Sequence, residues 1–306
     1  MHARPFGSLL LVLLAACGDG GAAQVVPEFD GARAMARART QLEFGPRIPG
    51  TAGHAAMAAW LDSLTRTVAD TVVTQRWQHV TLTGDTIPQV NVIARFNPEA
   101  TRRVLYLAHW DTRPMADAPE SADSTAPVAG ANDGASGVSV LLGVMDALAA
   151  NRPSIGVDLL FVDGEDFGKF EGDYADVLIG SRHYAANMLP PAKPEFAVVW
   201  DMVGAAEAQM PREGYGTIAA PAVVDRVWAL AGRMGYGHIF VQTSGTSLLD
   251  DHKPLIDAGI RAIDVIGWPY PHWHTPEDTF DKLSQETLEA VGNVAVALVR
   301  EVDRER

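Results

Sequence analysis

The groups in this 306-residue sequence best suited to chemistry are carboxylates and imidazoles set just beyond apolar runs. Leu159-Leu160-Phe161-Val162 passes through Asp163-Gly164 into two adjacent acids, Glu165 and Asp166. A short apolar run of this kind reads as a buried parallel strand. Open α/β sheets place their ligands beyond the carboxyl ends of such strands. Neighbouring acids there repel unless a cation or a shared proton holds them. The chemistry that would use them is a metal site with a general base beside it. An isolated Glu-Asp pair reads more simply as a solvated loop, so the metal reading depends on further ligands.

Those ligands stand at four other segments. His109-Trp110-Asp111 follows the apolar run 104–108, Asp201 follows 196–200, and His272-Trp273-His274 follows 260–266. Asp133 lies in Gly130-Ala131-Asn132-Asp133-Gly134, just ahead of an apolar helical stretch. In an open parallel sheet these ends lie a few strand spacings apart, each about 5 Å. Imidazole with carboxylate is a zinc ligand set. Glycines around Asp133 let the backbone bend close to an ion, and the helix that follows favours anionic groups at its start. Asp111 reads as a partner that orients the His109 ring. Of Glu165 and Asp166, one would bind metal and the other handle protons. His54, His79, His183 and His238 lie off this series and read as structural or exposed. His252 either orients Asp251 or caps a helix, and His272 either faces the site or turns away.

The elements that must position these groups follow from periodicity. Residues 29–44 read as a helix, ended by Gly45-Pro46-Arg47-Ile48-Pro49-Gly50-Thr51, and Met57, Trp60, Leu61 and Leu64 mark one face of a second. Strands at 71–80 and 89–96 flank the turn Thr83-Gly84-Asp85, which suggests a hairpin. Strands at 104–108, 157–162, 196–200 and 260–266 then alternate with helices at 138–149, 180–188, 222–234 and 284–302. The last helix puts Leu288, Val291, Ala295, Leu298 and Val302 on one face. Such alternation implies right-handed crossovers and a largely parallel sheet. The expected fold is a single α/β domain with a mostly parallel central sheet, an antiparallel edge hairpin and helices on both faces.

Composition supports a large core, with 47% hydrophobic and 20% charged residues. A formal charge of −14 and a pI near 5.0 argue against nucleic acid and against electrostatic binding to anionic lipid. Leu9-Leu10-Leu11-Val12-Leu13-Leu14 is a secretory apolar run, too short to span a membrane. Leu14-Ala15-Ala16-Cys17 resembles a bacterial lipobox, in which the cysteine is acylated. The expected organisation is a lipoprotein signal peptide at 1–16, a flexible tether at 17–28 and a catalytic domain at 29–306. That describes an exported bacterial lipoprotein on the periplasmic or outer side, touching membrane only through a lipid on Cys17. Cys17 is the only cysteine, so no intrachain disulfide is available.

Taken together, His109-x-Asp111, Asp133-Gly134, Glu165-Asp166, Asp201 and His274-Thr275-Pro276-x-Asp278-Thr279 resemble the zinc aminopeptidase-like clan. More narrowly the chain is similar to the glutaminyl-peptide cyclotransferases of that fold. The narrower likeness rests on the 47–51 loop, on Asp163-Gly164-Glu165-Asp166 with Gly180-Ser181-Arg182-His183, on Asp250-Asp251-His252-Lys253-Pro254-Leu255, and on Trp273 before His274. It runs from about residue 30 to the C-terminus. The resemblance implies zinc held by Asp133, Asp166 and His274, with Glu165 as general acid/base. It also implies a hydrogen-bonded carboxylate network of Glu165 with Asp201 and Asp251, and Trp273 as a substrate wall. Trp110 is a second wall candidate, although for Trp110, Trp200 and Trp268 a core or sheet-edge role is the simpler reading. One zinc is expected, and His109 and Asp201 are the candidates for a second. The family usually has Glu where this chain has Asp166, one methylene shorter. The implied reaction closes an N-terminal Gln of a peptide or protein to pyroglutamate with loss of ammonia; zinc aminopeptidase action is the alternative.

Overall fold

The computed structural model of the protein describes residues 28–119, 121–170 and 172–305. The expected signal peptide at 1–16, Cys17 and the tether up to residue 27 lie outside the described residues. The first two helices form as expected, α1 (Gly31–Glu43) and α2 (Ala52–Arg66), each opened by a side-chain cap, Asp30 and Thr51. Next comes the antiparallel hairpin of β1 (Thr71–Val80) and β2 (Thr86–Phe96). It forms one edge of a six-stranded sheet and runs antiparallel to β4 (Gly156–Val162). Beyond it the strands are parallel: β4, β3 (Arg103–His109), β5 (Ala197–Asp201) and β8 (Ala262–Ile266), in that order.

All seven residues of β3 and of β4 are buried, which is why both read as predominantly apolar runs. Val104, Tyr106 and Ala108, paired with Val157, Leu159 and Phe161, face a layer of large helices. That layer holds α3 (Ala135–Ala150), α6 (Pro221–Arg233) and α8 (Gln285–Arg304) together with α1 and α2. Leu105, Leu107, Leu160 and Val162 face the other side, where Tyr184 of α4 (Ile179–Ala186) and Leu255 of α7 (His252–Asp257) cover them. Helices thus lie on both faces of a mostly parallel sheet, in agreement with the sequence reading.

α3 buries 13 of its 16 residues and is the helix that aims Asp133. Gly137 lets its first turn lie against β5, because a Cβ there would collide with the Trp200 carbonyl oxygen. Gly137→Ala is therefore expected to cost about 1–3 kcal/mol through overpacking, read as a lower urea midpoint with an unchanged slope.

The stretch from 204 to 259 departs from the sequence reading, which placed only one helix there. The structure adds β6 (Met210–Arg212), α5 (Gly214–Ala219), β7 (Phe240–Ser244) and α7; β6 and β7 pair in parallel as a separate small sheet. Each added element has three to six residues. That is too short for a helical or strand period to emerge from the sequence.

Candidate active site

The four parallel strands end at one rim, and their last residues or following loops carry the expected groups. His109 closes β3 and Asp201 closes β5. Glu165 and Asp166 follow β4, His274 lies in the loop after β8, and Asp133 leads into α3. One ligand atom each of Asp133, Asp166 and His274 lies within 4.8 Å of the others, and so it is for His109, Asp133 and Asp201. His274 Nε2 is 3.1 Å from Asp166 Oδ1 and 3.9 Å from Asp133 Oδ2. His109 Nε2 is 3.0 Å from Asp133 Oδ1 and 3.1 Å from Asp201 Oδ1. Asp133 belongs to both groups.

These residues fit a zinc ion. Two carboxylates and one imidazole are ligands that zinc accepts, and Asp166 Oδ2 is buried with no hydrogen-bond partner. The electrostatics also demand positive charge. Burial opposes protonation of His274, yet Asp166, Asp117 and Asp133 outweigh it and raise its pKa to about 9. Burial likewise opposes charge on His109, but the neighbouring carboxylates of Asp111, Asp133 and Asp201 lift it well above the imidazole range. A metal cation can take the place of such protons, since ligands must bind it deprotonated.

The backbone places the carboxylates. Gly164, at φ 67°, turns the chain after β4. Asp111 then accepts the N–H groups of Glu165 and Asp166, each at 3.1 Å. Its Oδ1 lies 3.6 Å from His109 Nδ1, too far for a hydrogen bond. Asp111 thus faces the His109 ring as expected, without a hydrogen bond to it, and also shapes the Glu165–Asp166 turn. Asp278 accepts the N–H groups of Asn132 and Asp133 at 2.9 and 3.1 Å and the Tyr270 hydroxyl at 2.8 Å. Arg47, fully buried, donates to the carbonyls of Trp110, Ala129 and Gly130 and so ties the β3 end to the Asp133 loop.

Beside the ligands lies a cavity of about 310 Å³. Asp133, Glu165, Asp166, Asp201 and Asp250 make its acidic floor, and Phe170, Leu248, Leu249, Trp268 and Trp273 its apolar walls. The Trp273 ring stacks on His274 at 3.7 Å between centroids, and Trp268 meets Trp273 edge-on at 5.3 Å. Glu165 belongs to neither ligand group, and its carboxylate is 4.0 Å from His109 Nδ1. Burial pushes its pKa well above the ordinary carboxylate range; His109 opposes this, while Asp166, Asp250 and Asp251 reinforce it. A carboxyl group free of metal duty and with a raised pKa is suited to general acid–base work.

Two expectations are corrected. Trp110 does not line the cavity. It is buried under β2, donates from Nε1 to the Val90 carbonyl at 3.1 Å and stacks on His54 at 4.6 Å. Asp251 does not share hydrogen bonds with Glu165 and Asp201 as expected: both its carboxylate oxygens are buried without a hydrogen-bond partner, and Asp201 is bonded to His109. The acid of that motif that reaches the cavity is Asp250. Trp273 stands where expected, and Trp200 is core, its ring edge-on to Tyr106. His54 and His79 pair with Asp163 and Asp176, His183 stacks on Trp77, and His252 faces Glu213 at 3.1 Å. The sequence reading missed Asp250, Phe170, Arg113 and Asp117 as parts of the site, and it gave Trp268 a core or sheet-edge role where the structure puts it in the cavity wall. Asp250 was within reach, as the neighbour of Asp251; nothing in the spacing marks Arg113 or Asp117.

Residues 91–299 match the sequence model of peptidase family M28. Glutaminyl cyclase of Porphyromonas gingivalis is 36% identical and superposes with a TM-score of 0.86, over 90% of this chain and 99% of that one. A Zn-dependent exopeptidase from Parabacteroides distasonis is 34% identical, again with a TM-score of 0.86, over 90% of this chain and 99% of that one. Glutaminyl-peptide cyclotransferase of Bos taurus is 25% identical over 240 residues, covering 69% of this chain. The match spans 65% of the bovine protein, just under two thirds of its length. With the strand-end ligands, the free Glu165 and the tryptophan wall, these likenesses establish that the chain belongs to peptidase family M28 and, within it, to the glutaminyl-peptide cyclotransferases.

Proposed function

We propose that the protein is a zinc-dependent glutaminyl-peptide cyclotransferase, which closes an N-terminal Gln to pyroglutamate and releases ammonia. The observation that carries this reading is the pairing of a free, buried Glu165 with a small tryptophan-walled cavity directly beside the Asp133–Asp166–His274 group. Trp273 and Trp268 would hold the aliphatic part of the Gln side chain. The acidic floor suits an amide and an amine and would repel a Glu side chain. When bound, zinc supplies Lewis-acid polarisation of the side-chain amide oxygen.

Glu165 does the proton work. It takes a proton from the substrate α-amine as the amine nitrogen bonds to the γ-amide carbon. It then gives that proton to the amide nitrogen, which leaves as ammonia when its bond to carbon breaks. Folding the substrate between the tryptophan wall and the acidic floor brings amine and amide together, so the attack proceeds within one molecule.

Glu165 must be ionised to accept that proton. Since its pKa is raised, activity is lost as pH falls through that raised value. Asp250→Asn removes one of the negative charges that raise it, so the acid limb of kcat/KM is expected to move to lower pH. An acid limb unmoved in that variant would show that Glu165 is not the titrating base.

The decisive assay offers a Gln-initiated dipeptide to the purified protein and follows ammonia and the second residue. Ammonia without free amino acid supports cyclisation. Free amino acid without ammonia would establish the aminopeptidase reading, which the second ligand group of His109, Asp133 and Asp201 favours, because two-metal sites serve hydrolysis. The Leu9–Leu14 run and the motif ending at Cys17 support export as a lipid-anchored protein. No helix among the described residues is long and apolar enough to cross a membrane. Mass spectrometry of the N-terminal peptide from the membrane fraction would test the lipid on Cys17.

A further inference from the structure

A metal-binding carboxylate works best when its other contacts are taken up and its orientation is set. Asp166 is held in this way by a single guanidinium. Nη1 of Arg113 donates to Asp166 Oδ1 at 3.2 Å, to the Asp166 carbonyl at 3.0 Å and to the Gly168 carbonyl. Asp166 Oδ2 has no partner within the protein. The other edge of the same guanidinium holds Asp117, Nε to Oδ1 at 3.0 Å and Nη2 to Oδ2 at 2.5 Å. Asp117 Oδ1 in turn lies 2.9 Å from His274 Nδ1, which leaves Nε2 of that ring facing Asp166 and Asp133.

The backbone repeats the connection. Ala118 N–H donates to the His274 carbonyl at 3.3 Å. His274 has φ 53°, a left-handed conformation that a non-glycine residue keeps only when its surroundings hold it. The Arg113 side chain is 4% exposed, so water competes little for these donors. Two ligands from distant parts of the chain are thus joined through one arginine and one aspartate. Neither of these belongs to the ligand groups, and both come from the loop after β3.

We propose that Arg113 and Asp117 are positioning residues that act as one clamp, fixing the Asp166 carboxylate and the His274 ring for zinc. This inference rests on the zinc reading of the site. It also explains how a short Asp serves there. With Asp111 holding its N–H, and Arg113 holding its carbonyl and one carboxylate oxygen, Asp166 has little freedom left to lose when it binds an ion.

The test titrates metal-free protein with zinc against a competing chelator, with thermal melting of the metal-free form as the folding control. Arg113→Ala and Asp117→Ala are each expected to weaken zinc binding by about 10–100-fold. The double variant should be little weaker than the weaker single one, because both residues act through one guanidinium. Arg113→Lys keeps the charge but cannot hold both aspartates at once, so it should also bind zinc more weakly than the wild type. It decides the matter if the alanine variants do not fold. Cobalt(II) in place of zinc should show a shifted visible band in these variants, reporting altered ligand geometry. Unchanged zinc affinity in variants that melt like the wild type would overturn the clamp. A wild-type protein that binds no zinc would overturn the zinc reading instead, and with it the basis of the clamp.

Discussion

Glu165→Gln is expected to reduce cyclisation of a Gln-initiated peptide by roughly 10²–10⁴-fold, the usual worth of a positioned acid–base group, while leaving zinc binding at the wild-type level. The two halves of that statement come from different parts of the geometry. The candidate ligand group consists of Asp133, Asp166 and His274, and Glu165 is not among them. Gln has the length of Glu and a similar shape, so the cavity beside Trp273 keeps its form. It cannot take a proton from the substrate amine at working pH. The drop should appear in kcat, because the step removed is proton transfer rather than substrate binding. Zinc lost together with activity would show that Glu165 is a ligand and that base and ligand have been exchanged within the Glu165–Asp166 pair. Activity retained with zinc would assign the proton transfer to another cavity acid, with Asp201 and Asp250 the candidates.

The second large effect concerns the sheet that carries the site. Asp158, in the first half of β4, is 3% exposed and lies between two buried arginines. Its Oδ1 accepts from Arg95 Nε at 3.0 Å and Arg103 Nη2 at 2.9 Å, and its Oδ2 accepts from Arg103 Nε at 3.0 Å. Arginine stays charged in proteins, so Asp158→Ala would leave two guanidiniums inside the fold without their counter-charge. Removing one partner of a buried ion pair costs about 3–5 kcal/mol, against a total stability on the order of 5–15 kcal/mol. A large fall in the urea midpoint is expected, with zinc affinity of the folded fraction unchanged, since Asp158 lies toward the end of β4 away from Glu165. The remaining contacts of the arginines do not replace the carboxylate. They are carbonyls: Pro190 for Arg95, and Pro98 and Ala100 for Arg103. An unchanged midpoint would mean that these neutral acceptors suffice.

Asp158 also marks a limit of the sequence pattern. It interrupts the apolar run of β4, yet the strand is buried throughout. The charge is tolerated because Arg95 comes from β2 and Arg103 from β3, on either side of it. Only the pairing of three strands brings them together, and periodicity along one strand carries no trace of its neighbours.

Much of the architecture was nonetheless legible. Strands buried on both faces must be largely apolar, and helices that cover them must carry apolar positions at helical spacing. The alternation from β3 onward followed from the residues alone, and with it the rule that polar groups at strand ends meet at one rim. Asp133, Glu165, Asp166, Asp201, His109 and His274 all reach that rim.

The sequence by itself therefore determined the sheet and the rim, because both depend on burial along regular elements, which leaves a period; the candidate ligand set came from likeness to a known family. Only the tertiary structure decided which of two adjacent acids, Asp250 or Asp251, enters the cavity, and that Trp268 lines it while Trp110 packs on His54. It alone joined Arg113 and Asp117 to Asp166 and His274. These decisions lie in loops, where side-chain direction follows from local φ and ψ and from partners distant in sequence. No period records either.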